Sequence, residues 1–209
     1  MDKELANRLK RGSLALAIDL TENQQAAMME YVYLLLKWNR AYNLTAVRDP
    51  AQMISRHLLD SLAIAKHCTG ERLLDVGTGA GLPGVPLAIL YPDREFHLLD
   101  SNGKKTRFLF QVKTALGLDN MTVHHARVES FRPTALFDVI LSRAFASLLD
   151  MVKGCRHLVG AEGYFLAMKG SFPEQELLAI ENLCQVQSVM GISVPDLAEQ
   201  RHLVAMTLR

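Results

Sequence analysis

Cysteine is scarce in this chain. Cys68, Cys155 and Cys184 are spread widely over 209 residues and none belongs to a C-x-x-C pair. That usage argues for a reducing compartment and against a zinc site. An excess of one charge sign is also missing: 23 Lys and Arg face 22 Asp and Glu, a net charge of +1. No global field draws the chain to a polyanion, so any such contact must come from a local patch. No apolar run approaches the roughly 20 residues of a membrane span. Positions 1–10 alternate charged and apolar residues, unlike a leader segment. Low-complexity tracts and internal repeats are absent. Together these features predict a cytoplasmic protein with no membrane contact and no metal.

The chain does have apolar residues, 49% of the total, enough for a sizeable core. It also has one dense glycine cluster, Leu73-Leu74-Asp75-Val76-Gly77-Thr78-Gly79-Ala80-Gly81-Leu82-Pro83-Gly84. A short apolar run ends in an acid, a tight turn follows, and Pro83 suits the first turn of a helix. Strand, loop and helix in that order hold a nucleotide-like cofactor at the carboxyl end of a strand. Gly79, Gly81 and Gly84 match the dinucleotide fingerprint G-x-G-x-x-G. Asp75 disfavours a pyrophosphate, because like charges repel in a partly desolvated cleft. A ligand carrying an amine and a sulfonium fits the same field, and S-adenosylmethionine (AdoMet) has both. NAD and a purely structural turn are the alternatives.

Residues 1–69 read as a helical region. Thr21-x-x-Gln24 forms a capping box for a helix running to Ala41, with Met28, Tyr31, Val32, Leu35 and Leu36 on its core face. A second long helix is expected over 50–67. From position 70 strands and helices alternate. Strands are expected at 73–76, 96–100, 121–125, 137–141 and 163–168, and helices at 86–91, 104–116, 147–157 and 173–184. Two strand-like runs, 186–194 and 202–208, close the chain with no helix between them. The prediction is an α/β fold: a doubly wound, mostly parallel, seven-stranded Rossmann-like sheet of the AdoMet-methyltransferase type, with an N-terminal helical extension. The division falls between 1–69 and 70–209.

Several residues carry candidate chemistry. Asp100 ends the second strand, where an acid accepts hydrogen bonds from a ribose diol; an exposed strand-end Asp is the plain alternative. Glu129 follows the third strand, either beside an adenine ring or as a helix-start acid. Arg143 closes the fourth strand within Leu141-Ser142-Arg143-Ala144-Phe145. Its planar donors suit an acceptor edge or a phosphate, or it pairs with Asp138 or Glu129. The Asn/Asp-Pro-Pro-aromatic run of amine methylation is missing here. No cysteine is expected at a strand end, which excludes the thiol nucleophile of pyrimidine C5 methylation. Lys104, Lys105, Arg107 and Lys113 form a basic stretch without an intervening acid. It suits an RNA backbone, with Lys169 adding to the field, or it is a solvated helix face. His124 and His125 point to opposite faces of a strand and cannot comfortably share a metal. His57 and Trp38 read as packing residues. A small-molecule or protein methyltransferase, a non-catalytic AdoMet-binding regulator and a nicotinamide oxidoreductase are the competing functions.

Taken together, Lys37-Trp38-Asn39-x-x-x-Asn43-Leu44-Thr45, Arg56-His57-Leu58-Leu59-Asp60-Ser61-Leu62, the 75–84 loop, Asp100-Ser101-Asn102-Gly103-Lys104-Lys105 and Ser142-Arg143-Ala144 resemble the glucose-inhibited division protein B family. The resemblance runs from about residue 20 to the end. It implies a bacterial methyltransferase acting on N7 of guanine-527 in 16S ribosomal RNA, in the free rRNA or the small ribosomal subunit, with AdoMet as cofactor. It implies cofactor contacts at Gly77, Leu82, Val128, Glu129 and Arg143, beside Asp75 and Gly79 read from the loop itself and Asp100 read from the end of the second strand. Arg143 would also be the catalytic residue, near the methionine moiety or the target base. RNA would be held by Lys104, Lys105, Arg107, Arg56 and Lys169, with Arg48 nearby. Guanine N7 has a lone pair and no proton, so the reaction needs positioning and electrostatics rather than a base. A cation placed on N7 would block the nucleophile, so a guanine-reading cation would grip O6. The working unit is expected to be a monomer.

Overall fold

The computed structural model describes residues 3–143 and 147–209, so Ala144 and Phe145 of the motif after the fourth strand lie outside the described residues. Two helices open the chain, α1 (Lys3–Ala15) and α2 (Glu22–Tyr42). The capping box at α2 forms as expected. Gln24 N–H donates to Thr21 Oγ1 and the Gln24 side chain accepts from Thr21 N–H. Asn43 ends α2 in the left-handed region, at φ 49°.

The expected helix over 50–67 is not one helix. It begins as α3 (Pro50–Met53), capped by Asp49, widens into a π-helical turn (Ile54–Leu59), then runs through α4 (Asp60–Leu62) and a 3-10 turn (Ala65–His67). One contact that loosens it is tertiary and one is local. Arg143 donates to the Arg56 carbonyl at 2.9 Å and Ser61 Oγ donates to the His57 carbonyl at 2.6 Å. Side chains that reach into a helix's carbonyl ladder loosen it, and π turns gather at such places.

Seven strands follow: β1 (Arg72–Val76), β2 (Glu95–Asp100), β3 (Met121–His125), β4 (Phe137–Arg143), β5 (Val159–Lys169), β6 (Cys184–Gly191) and β7 (His202–Leu208). Their order is β3-β2-β1-β4-β5-β7-β6. All neighbouring pairs are parallel except β5 with β7 and β7 with β6. The reversal of strand order beside β1 is the switch point at which α/β sheets bind ligands. The intervening helices are α5 (Gly84–Leu90), α6 (Gly103–Leu116), α7 (Leu148–Cys155) and α8 (Glu174–Ile180). Pro83 caps α5 and is preceded by a cis peptide bond. The last helix is shorter than the expected 173–184. The chain turns at Ile180 and enters β6 at Cys184, so that cysteine does open a strand, at the edge remote from the glycine loop.

Alternate residues of β1 face opposite cores, Leu73 one way and Leu74 and Val76 the other. Buried residues of α1, α2, α5 and α6 share one cluster with the first face; α7 and α8 cover the second. His124 and His125 diverge as expected: His124 stacks on His97, whereas His125 Nε2 lies 3.2 Å from the Ser101 carbonyl. Among the described residues no helix is long and apolar enough to cross a membrane, and no three His, Cys, Asp or Glu side chains are placed to hold a metal.

Candidate functional site

Two clefts open where the parallel strands end. The first is built on the glycine loop. Gly77 and Thr78 N–H groups donate to the Leu99 carbonyl of β2, which ties the loop to the neighbouring strand. Gly79 has φ +62°, and its N–H donates to Asp100 Oδ2 at 2.9 Å. A Cβ at Gly79 would meet nothing closer than Lys105 Nζ at 3.8 Å, so this glycine faces open space. Gly81 serves packing instead. Its φ is +95°, and a Cβ there would stand 2.5 Å from a Val85 methyl and 2.7 Å from a Leu109 methyl.

Asp75 lies beneath the loop and does not line the cleft. It is 1% exposed. Its Oδ2 accepts from Thr78 Oγ1 at 2.7 Å and from Gly84 N–H at 2.8 Å, while Oδ1 has no partner. Burial raises the carboxyl to about 6 against the pull of the two hydrogen bonds and of the Arg143 charge. From the opposite side, the buried Tyr31 hydroxyl of α2 donates to the Ala80 carbonyl at 2.8 Å. The helical region therefore braces the loop directly, a role beyond the core packing expected of Tyr31.

The first cleft encloses about 190 Å³. Gly77, Asp100, Val128 and Glu129 line it, together with Val76, Leu99, Ser101, Ala126 and Arg127, which the sequence pattern did not single out. Asp100 also accepts from Asn102 N–H, and Lys105 Nζ stands 3.7 Å from its Oδ2. A carboxylate has about four acceptor sites, so two backbone bonds leave room for a diol. Leu82 departs from its expected position at the mouth: its side chain is 3% exposed and packs into the core.

The second cleft, about 440 Å³, is lined by Arg143, Arg56, His57, Asp60, Lys169 and Arg201, with Val47, Met168 and Gly170. Ser142 Oγ donates to the Val76 carbonyl, so the end of β4 joins this cleft to the first. Arg143 pairs with neither Asp138 nor Glu129. Its Nη1 donates to Asp60 Oδ2 at 3.1 Å and to the Arg56 carbonyl. Asp138 instead accepts from the Glu71 and Arg72 amides. Arg201 Nε donates to the other Asp60 oxygen at 2.9 Å. Asp60, 2% exposed, thus clamps two guanidinium groups between its oxygens. Neither Asp60 nor Arg201 was legible as a site residue. The only local hint was that Asp60 shares a motif with Arg56.

The cations expected to hold RNA divide into two sets. Lys104 and Arg107 are exposed on α6, along one face with the half-exposed Phe110. Lys105 leans on Asp100 at the first cleft. Arg56 pairs with Glu199, and Lys169 with Glu176 at 2.7 Å, both at the second.

A family model described as "rRNA small subunit methyltransferase G" matches residues 24–204. Proteins named ribosomal RNA small subunit methyltransferase G are similar over almost the whole chain. The one from Pseudomonas paraeruginosa is 53% identical, covering 96% of this chain and 94% of its own. The one from Nitrosococcus oceani is 50% identical, covering 100% and 98%. Solved structures share the fold at low identity. A SAM-dependent methyltransferase from Aquifex aeolicus aligns with a TM-score of 0.60 at 18% identity, over 81% of this chain and 96% of its own. A glycopeptide N-methyltransferase complexed with S-adenosyl-L-homocysteine aligns with a TM-score of 0.62 at 10% identity, over 73% and 90%.

Proposed function

The chain belongs to the rRNA small subunit methyltransferase G family and is an AdoMet-dependent rRNA methyltransferase, and on that premise we propose that it methylates N7 of guanine-527 in 16S rRNA. The observation that carries this reading is the cationic second cleft, which opens beside the glycine-loop cleft at the end of β4.

The first cleft fits AdoMet. Gly79 leaves open space over the loop, Asp100 offers spare acceptor capacity at a strand end, and the buried Asp75 Oδ1 is an orphaned anion beneath the loop. When bound, AdoMet supplies the electrophilic sulfonium methyl. In this reading Asp100 holds the ribose, Val128 and Glu129 flank the adenine, and Gly77 and Gly79 admit the ligand close to the backbone. Leu82 contributes by packing the loop from below.

Arg143 lines the second cleft at the end of β4. Both of its bonds to described residues come from Nη1, which leaves Nε and Nη2 for a ligand. Guanine N7 presents a lone pair and releases no proton, so no side chain need act as a base. The protein's part is to hold the base in line and shape the field around the moving charge. The thiols fit that account. Cys68, Cys155 and Cys184 are all buried, and burial pushes Cys68 and Cys155 up to about 12. We assign the helical region, 1–69, the task of closing the acceptor cleft over the methyltransferase domain, 70–209. Thr45, Arg56, His57 and Asp60 all come from it.

Lys104 and Arg107, exposed and with no ion pair among the described residues, are suited to the RNA backbone. Lys104→Glu with Arg107→Glu should weaken binding to small subunits and flatten the dependence of log K on log salt by about 2, at about one unit per lost phosphate contact. AdoMet affinity should not change. A slope equal to the wild type's would make this surface a solvated helix face. The reading as a whole is tested by methyl transfer from labelled AdoMet to small ribosomal subunits.

A further inference from the structure

The second cleft is lined by a buried imidazole, one of whose ring nitrogens has no hydrogen-bond partner among the described residues. His57, 5% exposed, sits in the π-helical turn. Its Nε2 lies 2.9 Å from Thr45 Oγ1. That oxygen also accepts from Val47 N–H at 3.2 Å, and its own proton is free to be donated to Nε2. Burial, with the Arg143 charge, lowers the imidazole to about 4, so the ring is neutral near pH 7. With the Thr45 hydroxyl donating to Nε2, the one ring proton lies on Nδ1. Nδ1 has no hydrogen-bond partner among the described residues. The Arg56 carbonyl lies close enough to nudge the ring's pKa back upward, but the donor it accepts from at hydrogen-bond distance is Arg143.

The arrangement is built. Asn39, 3% exposed, accepts from Thr45 N–H at 2.9 Å and donates to the Val47 carbonyl at 3.4 Å. The end of α2 thereby fixes the loop that fixes the tautomer. A buried N–H without an acceptor is rare in native proteins, and one lining a cleft is explained by a ligand atom that accepts from it.

We propose that His57 is a specificity-determining residue, whose Nδ1–H donates to O6 of the target guanine while N7 stays free for the methyl group. This rests on the guanine reading above. The chemistry discriminates between purines. Guanine offers an acceptor at position 6, whereas adenine offers an amino donor, which would face the His57 donor and leave both unpaired. A neutral donor also reads O6 without placing another cation beside the nucleophile.

The test is a cycle between enzyme and base. Wild type and His57→Ala are each assayed on small subunits carrying guanine, or 2-aminopurine, which lacks O6, at the target position. Each single change should lower kcat/KM about tenfold to a hundredfold, and the two together no further than the worse alone. Losses that multiply would overturn the proposal. If wild type leaves guanine N7 unmethylated, the guanine reading itself fails; N7 methylation with multiplying losses removes only the His57 assignment. A second pair keeps the test decisive if His57→Ala misfolds, as judged by lost AdoMet binding. Thr45→Ser should keep the preference for guanine over 2-aminopurine, and Thr45→Val should lose it. Nitrogen-15 shifts of the imidazole should show the Nδ1–H tautomer in wild type. An Nε2–H ring would contradict the proposal.

Discussion

Asp75→Ala is expected to weaken AdoMet binding about a hundredfold in a calorimetric titration. The carboxylate does not line the cleft; it acts through the loop. Thr78 Oγ1 and Gly84 N–H converge on one of its oxygens, and these bonds join the end of β1 to both ends of the glycine turn. Bonds to a charged acceptor contribute about 1.5–3 kcal/mol each, so losing both accounts for a hundredfold if only part reaches the ligand. Asp75→Asn keeps one acceptor oxygen and should lose about tenfold.

The same residue predicts a pH dependence. Burial lifts its carboxyl from 3.8 to about 6. An acid raised in the folded state contributes stability that is complete below about pH 4 and is lost as pH rises through 6, about 3 kcal/mol at one unit per 1.36 kcal/mol. A cationic ligand favours the ionised form. AdoMet affinity should therefore rise between about pH 5 and 7 and level off above, and the Asp75→Asn profile should be flat. Equal profiles in the two proteins would separate Asp75 from the cofactor.

Arg143→Ala should lower kcat/KM for small subunits about 10²- to 10³-fold, the scale set by removing one preorganised donor from a reacting centre. The side chain is held twice, by Asp60 and by the Arg56 carbonyl, so its remaining donors are fixed before substrate arrives. AdoMet affinity should fall less than about tenfold, which makes this a loss in the chemical step rather than in cofactor binding. Arg143→Lys should not rescue turnover. An ammonium can meet Asp60 and the Arg56 carbonyl from one nitrogen, as Nη1 does, but it has no planar donors left to present to a base. Near-normal turnover in the alanine variant would remove Arg143 from the site.

The sheet was legible because strand-end acids and glycines punctuate it. Asp75, Asp100 and Arg143 all stand where a strand meets its loop, and the closing hairpin showed as two apolar runs without a helix between them. The second cleft was not legible. Ile54, Leu58 and Leu62 keep a helical period, so nothing local announces the π turn that Arg143 induces from 87 positions away. Arg201 reaches Asp60 across 141 positions. His57 looked like a packing residue because neither its contact with Thr45 nor its unpartnered ring nitrogen is visible before the chain folds. Lys105, Lys169 and Arg56 read as free cations, since Asp100, Glu176 and Glu199 meet them only in the folded chain. Leu82 follows a glycine at the loop mouth in sequence, yet the turn carries its side chain inward.

The central claim is a guanine-N7 methyltransferase of small-subunit rRNA, and mapping the transferred methyl tests it most directly. The chain is incubated with methyl-labelled AdoMet and small subunits that lack the modification, and the labelled nucleotide is located by cleavage chemistry selective for N7-methylguanine. The account predicts one labelled site, at guanine-527, and no transfer to subunits carrying 7-deazaguanine there. Label on another base, on a different atom of guanine, or on a ribosomal protein would contradict it.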